Sequence, residues 1–413
     1  MDFLVIRYYN INRLLLLVIG SWPMIKKSPI NSFIQMIQSF FIYVILTSSV
    51  LVQIFKLITS EPTLDLFVNV SSYAFLCMVY LAKYGFHMFQ LENIKCLIIR
   101  IQRNWNLLID EKEREIMEEY TQKGKKFTFI CLFLSCFTII LLLTWTSFLF
   151  ISDILVPLNG SHRLECPFVA EYFIDQEVYY YPILLHMYTI FLVGLTVVIA
   201  TEAFYAIIVQ HACGLFHIVG YRFEQVFNES TLNSISLSRK SFEINYSIVR
   251  AINSHQNAIE KFSNSQRFVD HMNSCFSNSY FMLMILGVIS LIMNCTDILQ
   301  AMNPNKNYNL VSASVRILNA FVRIINIICY LFGIFYCGQK LIDCSINILE
   351  KAYTIPWYLA SSKIKVSLMM VLQRSLKKST LFLGNLFPMS FELFGTILKT
   401  TSCYITTLHA LQY

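Results

Sequence analysis

Four residues, Thr400, Tyr404, Thr407 and Leu411, recur at spacings of four, three and four and so line one face of a helix. The surrounding sequence is apolar. A single hydroxyl-bearing stripe on such a helix should face water or protein, unless its threonines merely bond to the carbonyls of their own helix. Arg316 and Arg323 are a second polar group in apolar surroundings, seven residues apart on one face. An arginine near a bilayer centre costs about 2.5–3.5 kcal/mol even on the mild scale. Pairing with Asp297 or with acids of the external loops would give these arginines a structural role, which is the favoured reading. Lining an ion or ligand path is the other. No residues propose catalysis: GxGxxG, P-loop, HExxH and GxSxG patterns are absent, and His87, His162, His211 and His271 are scattered without metal-ligand spacing. No catalytic residue, metal site or cofactor is expected.

The elements that must carry these residues are membrane spans. The chain is 56% hydrophobic with 34 Phe and 23 Tyr and only 14% charged, a composition unlike that of a water-soluble globule. About 20 apolar residues cross a bilayer core of about 30 Å as a helix. Seven stretches qualify: 33–58, 64–86, 128–152, 181–208, 279–302, 310–338 and 386–411. An all-α polytopic membrane protein is expected. The apolar run Leu14 to Trp22 follows Arg7 and Arg13, is short, lacks a clear cleavage site and precedes Lys26-Lys27. It reads as a retained interfacial or re-entrant segment within residues 1–32. The stretch around 339–385 carries Glu350, Lys351, Pro356, Lys363 and Lys365, and is expected in or beside the cytoplasm.

Orientation follows from lysine and arginine. Of 32 basic residues, 26 fall in 1–32, 83–126, 212–277 and 340–378, whereas the loops at 59–63, 153–180 and 303–309 hold only Arg163 and Lys306. A cytoplasmic N-terminus follows, and seven spans place Tyr413 outside the cell. The sequon Asn159-Gly160-Ser161 then lies in an external loop, where a glycan could be added, while Asn228 and Asn245 stay inside. The net charge of +7 is the sum of juxtamembrane basic residues facing anionic lipid and requires no nucleic-acid partner. Cysteines form no CxxC pair, and only Cys166 is clearly in an external loop. The cytoplasmic connections are long, and Asp110 to Tyr120 (DEKEREIMEEY) alternates charge at helical spacing, as a span extended into the cytoplasm would.

From Gly338 onward the chain resembles the insect odorant receptor family. The residues that carry the resemblance are Gly338-Gln339-Lys340-Leu341, Tyr353 and Trp357 in KAYTIPWY, Arg374, Phe391, Ile397-Leu398-Lys399, Ser402-Cys403-Tyr404 and Thr406-Thr407-Leu408. Members of that family are seven-span proteins of inverted topology that form ligand-gated cation channels with a shared co-receptor. The resemblance implies a ligand-binding region over 33–338. It implies an anchor over 339–385, where four subunits meet, with Tyr353 and Trp357 as aromatic anchors, and a pore-lining terminal helix over 386–413. Thr400, Tyr404, Thr407 and Leu411 would then face the pore. Thr407 stands where the family's gate has valine, so a gate closed by dewetting would depend on Leu411 and on partner subunits. This suits a tuning subunit of a heteromer.

The resemblance also implies a ligand pocket in the outer half of the spans, supplied here by Ser72, Tyr73 and Leu76, by Thr138, Leu141 and Trp145, by Met187, Tyr188, Phe191 and Leu192, and by Asn319 and Val322. None carries a formal charge, so a small neutral volatile is expected. Burial at about 25 cal/mol per Å² plus one hydrogen bond worth about 1 kcal/mol would bring such a molecule to micromolar affinity. The expected partners are the odorant co-receptor in a tetramer, membrane lipid and permeant cations, in the plasma membrane of sensory neurons. A gustatory receptor of the same superfamily and, more remotely, a transporter remain as alternatives. A transporter would need inverted repeats and broken helices, of which the sequence shows no sign.

Overall fold

The computed structural model describes residues 3–24, 28–108, 110–155, 168–235, 241–303, 310–354, 369, 373 and 378–412, and side chains for most of these but not for 3–8, 141–155, 223, 226–235, 241–259, 310–312, 349, 352–354 or 411–412. Among the described residues the chain is almost wholly helical: α1 (Phe3–Val18), α2 (Pro29–Thr59), α3 (Leu64–Phe89), α4 (Leu91–Asn106), α5 (Glu111–Leu155), α6 (Tyr180–Ile235), α7 (Ser241–Ala301) and α8 (Leu310–Thr354) precede a short hairpin, β1 (Phe382–Leu383) and β2 (Phe387–Pro388), and α9 (Phe391–Gln412). Among the described residues five helices, α2, α3, α6, α7 and α8, are long and apolar enough to cross a membrane. With five threonines, Glu392 and Lys399 in its 22 residues, α9 is more polar.

Local chemistry sets the boundaries. Pro29 opens α2, where its missing N–H is harmless. Thr63 caps α3 by accepting from Leu66 N at 3.2 Å, with Asp65 in the first turn. The charged run at 111–120 does begin α5, but it is not merely solvated: Glu113, Ile116, Met117 and Tyr120 are buried at i, i+3, i+4 and i+7. Glu113 is paired with Arg222 of α6. In α6 most residues from 203 to 219 are buried on all sides, which makes it the axis around which α3, α5, α7 and α8 pack.

At 16 residues, or about 24 Å, α1 is too short to span. It turns back through Gly20, whose φ of +65° favours glycine. Leu16, Ile19 and Trp22 are buried, and Tyr84 donates to the Ile19 carbonyl at 3.0 Å. Tyr9 accepts from Trp105 Nε1 at 3.1 Å, and burial pushes its hydroxyl up to about 12.

The apolar run expected as one helix from 386 begins differently. Phe382 pairs with Pro388 and Leu383 with Phe387 across a tight turn in which Gly384 (φ +58°) and Asn385 (φ +59°) are both left-handed. The hairpin is fastened to α7: Phe382 N donates to Asn273 Oδ1 at 2.9 Å and Asn385 N to Ser277 Oγ at 3.0 Å. It also lies against α8 at Gly338, where any side chain would collide with the backbone and side chain of Met389. Gln339 Oε1 then accepts Phe391 N at 3.2 Å and Ser390 Oγ accepts Leu393 N at 3.3 Å, which starts α9.

Candidate ligand cavity and exposed terminal helix

Five helices line a partly open cavity of about 150 Å³. Leu76, Val79 and Tyr80 come from α3, Phe127 to Ser135 positions from α5, Leu195, Val198, Ile199 and Glu202 from α6, Gly287 and Ser290 from α7, and Asn326, Ile327, Cys329, Tyr330 and Gly333 from α8. The space exists because Gly287 and Gly333 put no side chain into it. Gly194, by contrast, lets the Tyr80 ring lie directly on the α6 backbone, where a Cβ would clash.

The lining is mostly apolar, with Ser135, Glu202, Ser290 and Asn326 among its polar members. Glu202 is paired with Lys83, and their side chains are only 13% and 6% exposed. Tyr280 donates to the other Glu202 oxygen at 3.1 Å, and Lys83 Nζ lies 4.1 Å from the Tyr280 ring centroid. Two opposite charges buried together are tolerable where each has its counter-charge and further hydrogen bonds. This cluster ties α3, α6 and α7 together. The buried Tyr330 hydroxyl lies beside the same carboxylate, with Lys83 Nζ 5.9 Å from its ring centroid.

Of the residues assigned to a pocket on sequence grounds, Leu76 lines this cavity. Thr138 touches it indirectly: its hydroxyl lies 2.9 Å from the Leu134 carbonyl and 3.3 Å from Oδ1 of the lining residue Asn326. Ser72 and Tyr73 are engaged elsewhere, since Arg323 Nη2 donates to Ser72 Oγ at 3.3 Å and the guanidinium sits 3.8 Å from the Tyr73 ring centroid. Met187 and Phe191 are buried with Tyr73, Phe168 and Ile183 in a separate apolar cluster. Leu192 is 54% exposed, and Tyr188, Asn319 and Val322 are half-buried. The side chains of Leu141 and Trp145 lie outside the described residues. Along α5, α6 and α8 the cavity thus sits about two turns nearer the middle of each helix than the assigned residues.

The charge-free lining expected from sequence is corrected by Glu202. It and Lys83 were legible as charges within apolar stretches, but Lys83 was counted with the loop at 83–126. Arg316 and Arg323 have Asp297, the partner considered for them: fully buried, it bonds Arg316 at 2.6 Å and Arg323 at 3.0 Å; Asp65, in the first turn of α3 and not foreseen, also reaches Arg316 at 3.1 Å.

The terminal helix has two unlike faces. Phe394, Ile397, Leu398 and buried Thr401 turn toward the bundle, with Phe394 packed on Phe335 at a centroid distance of 5.6 Å. Thr400, Tyr404 and Thr407 are exposed, and Thr407 also donates to the Cys403 carbonyl of its own helix at 2.9 Å. The side chains of Leu411 and Tyr353, and residues Asn159, Cys166 and Trp357 altogether, lie outside the described residues.

Comparison with known proteins places this architecture. The family described as 7tm odorant receptor matches residues 63–402, from the cap of α3 into α9. Odorant receptor 10 of Aedes albopictus is 27% identical over 100 residues, a stretch that covers 24% of this chain and only 27% of that protein. The olfactory receptor OR5 of Machilis hrabei in complex with eugenol superposes with a TM-score of 0.77 over 100% of both chains at 13% identity. The same receptor, described without eugenol, gives 0.76 over 97% of each at 12% identity. Through a family match that runs from the cavity helices to the terminal helix, and a fold shared from end to end, the chain belongs to the insect odorant receptor family and is a multi-pass membrane receptor, not an enzyme.

Proposed function

We propose that the chain is the odorant-binding subunit of a ligand-gated, nonselective cation channel that it forms with the odorant co-receptor as a tetramer in the plasma membrane of sensory neurons. The observation that carries this reading is the coupling between cavity and terminal helix. The cavity is bounded by α7 and α8, and the same two helices hold the hairpin and the first turn of α9 through Asn273, Ser277, Gly338 and Gln339. A molecule that spreads α7 from α8 therefore pulls on α9.

In this reading the N-terminus is cytoplasmic and Asn159 is external and glycosylated. Tyr353 and Trp357 belong to the inter-subunit anchor, and Thr400, Tyr404, Thr407 and Leu411 line the pore with their counterparts. The exposure of Thr400, Tyr404 and Thr407 in the single chain supports such a role, because an exposed hydroxyl stripe gains little from lipid. In this reading Ser72, Tyr73, Leu76, Thr138, Leu141, Trp145, Met187, Tyr188, Phe191, Leu192, Asn319 and Val322 contribute to ligand binding, and Leu76, which lines the cavity, supports that role. A small organic ligand of eugenol's kind comes to this chain by its likeness to the receptor bound to that compound.

The test is whole-cell current in cells that express the chain with and without co-receptor during application of a volatile panel. The reading requires evoked cation current that depends on both subunits. Current that needs neither the chain nor the cavity residues would overturn it.

A further inference from the structure

Away from the cavity, two free thiols meet between α6 and α8. Cys213 of α6 is fully buried, and its Sγ lies 3.8 Å from the Lys340 carbonyl, at the turn of α8 that carries Cys344. The two thiols hydrogen-bond one another. The Tyr120 hydroxyl of α5 lies 4.0 Å from Cys344 Sγ. Cys344 is half-buried and is reached through a partly open pocket of about 20 Å³, lined also by Tyr120, His217, Asn347 and Lys351. Such a volume admits a molecule of about the size of water. A partly exposed thiol with polar and cationic neighbours, and a second thiol in contact with it, has the surroundings of a redox-reactive cysteine. Neither the ligand cavity nor the exposed face of α9 uses these two residues.

We propose that Cys344 and Cys213 form a peroxide-sensing pair: hydrogen peroxide oxidises Cys344, Cys213 resolves it, and the resulting disulfide fastens α8 to α6. The Cys344 sulfur attacks one peroxide oxygen and the O–O bond breaks. The departing oxygen leaves as water with the Cys344 proton, and Cys344 becomes a sulfenic acid. The Cys213 sulfur then attacks the Cys344 sulfur, the S–O bond breaks, and a second water leaves with the Cys213 proton. Two thiols thus lose two electrons and two protons to one peroxide, giving one disulfide and two waters. In the proposed topology both residues lie on the cytoplasmic side, where thiols are kept reduced and a disulfide is a transient, redox-sensing bond. Cys344 lies within two turns of Gly338 and Gln339, which seat the hairpin and start α9. Resting on the reading of the chain as a channel subunit, the disulfide opposes the movement of α8 that ligand binding transmits to α9. The channel becomes harder to open, with a coupling worth about fivefold or more in ligand potency.

The experiment exposes membranes from cells that express the full chain with the co-receptor to hydrogen peroxide, alkylates the remaining thiols, and maps disulfides by mass spectrometry of proteolytic peptides. Inside-out patches from the same cells give the dose–response current to a volatile before and after peroxide. A Cys213–Cys344 linked peptide is expected, together with a potency loss of about fivefold or more, and dithiothreitol should reverse both. Cys344→Ser and Cys213→Ser should respond as the parent does before peroxide, which shows that they fold, and should lose the peroxide-induced shift. In Cys213→Ser the sulfenic acid on Cys344 should persist and be trapped by dimedone. Absence of the linked peptide under peroxide that oxidises other cysteines of the chain overturns the proposal. So does a Cys344 mixed disulfide with glutathione in place of the linkage, a linkage without change in potency, or a shift that persists in either variant. If no volatile opens the heteromer at all, it is the channel reading that falls, while the linked peptide still decides the chemistry of the pair.

Discussion

Replacing Lys83 by Met should destabilise the protein severely, whereas replacing Lys83 and Glu202 together should not. The pair lies in the middle of the helix bundle with side-chain exposures of 6% and 13%, and Glu202 also accepts from Tyr280 at 3.1 Å. Lys83→Met strands a buried carboxylate, and Glu202→Leu strands a buried ammonium. Each should cost about 3–5 kcal/mol, because the desolvation penalty of the remaining ion is no longer offset. Lys83→Met/Glu202→Leu removes both penalties and leaves Tyr280 without its acceptor, a loss of about 1–3 kcal/mol. Two independent effects would sum to roughly 6–10 kcal/mol, so the coupling between the sites should be at least about 3 kcal/mol. Thermal melting of the detergent-solubilised chain, read by loss of monodisperse protein, tests this. With midpoints moving on the order of 2 °C per kcal/mol, each single variant should melt roughly 5–10 °C low and the double variant within a few degrees of the parent. If the double variant instead melts at the sum of the two single shifts, the pair is not coupled, and the account of the cavity's polar end is wrong.

Other perturbations read other parts of the chain. Gly338→Ala places a methyl group against Met389 and should uncouple the hairpin from α8, so that peak evoked current falls about tenfold or more after normalisation to surface protein. Thr407→Val puts an apolar group on the exposed face of α9, and should lower the unstimulated current of the heteromer by strengthening closure through dewetting; unchanged leak would separate Thr407 from the gate. Asn159→Gln should abolish an endoglycosidase-sensitive mobility shift if that loop is external, and a shift that persists would move the glycan elsewhere.

The helices were legible because their apolar runs are long, and the start of α5 because charges at 111–120 recur at helical spacing. Arg316 and Arg323 were legible as structural because Asp297 stood within one element of them. The position of the cavity was not. It depends on where side chains are missing, at Gly287 and Gly333, and glycine in an apolar run carries no periodic signal. Lys83 was hidden for a different reason: charge counting assigns a lysine near a span's end to the adjoining loop, while α3 in fact continues to Phe89 and buries it against Glu202. The hairpin was hidden because Phe382 to Pro388 is as apolar as the helix that follows. Only Gly384-Asn385, a pair suited to two left-handed positions, announced the turn. The same comparison explains part of the family-like ending: Gly338 and Gln339 are the residues that seat the hairpin and cap α9.

The most direct test of the central claim is an excised-patch recording from cells that express the chain with the odorant co-receptor. The account predicts a volatile-evoked cation conductance that persists in membrane patches without nucleotide or cytosol, is lost when either subunit is omitted, and is reduced by Gly338→Ala. A response that disappears on excision and returns only with guanine nucleotide and a G protein would contradict it.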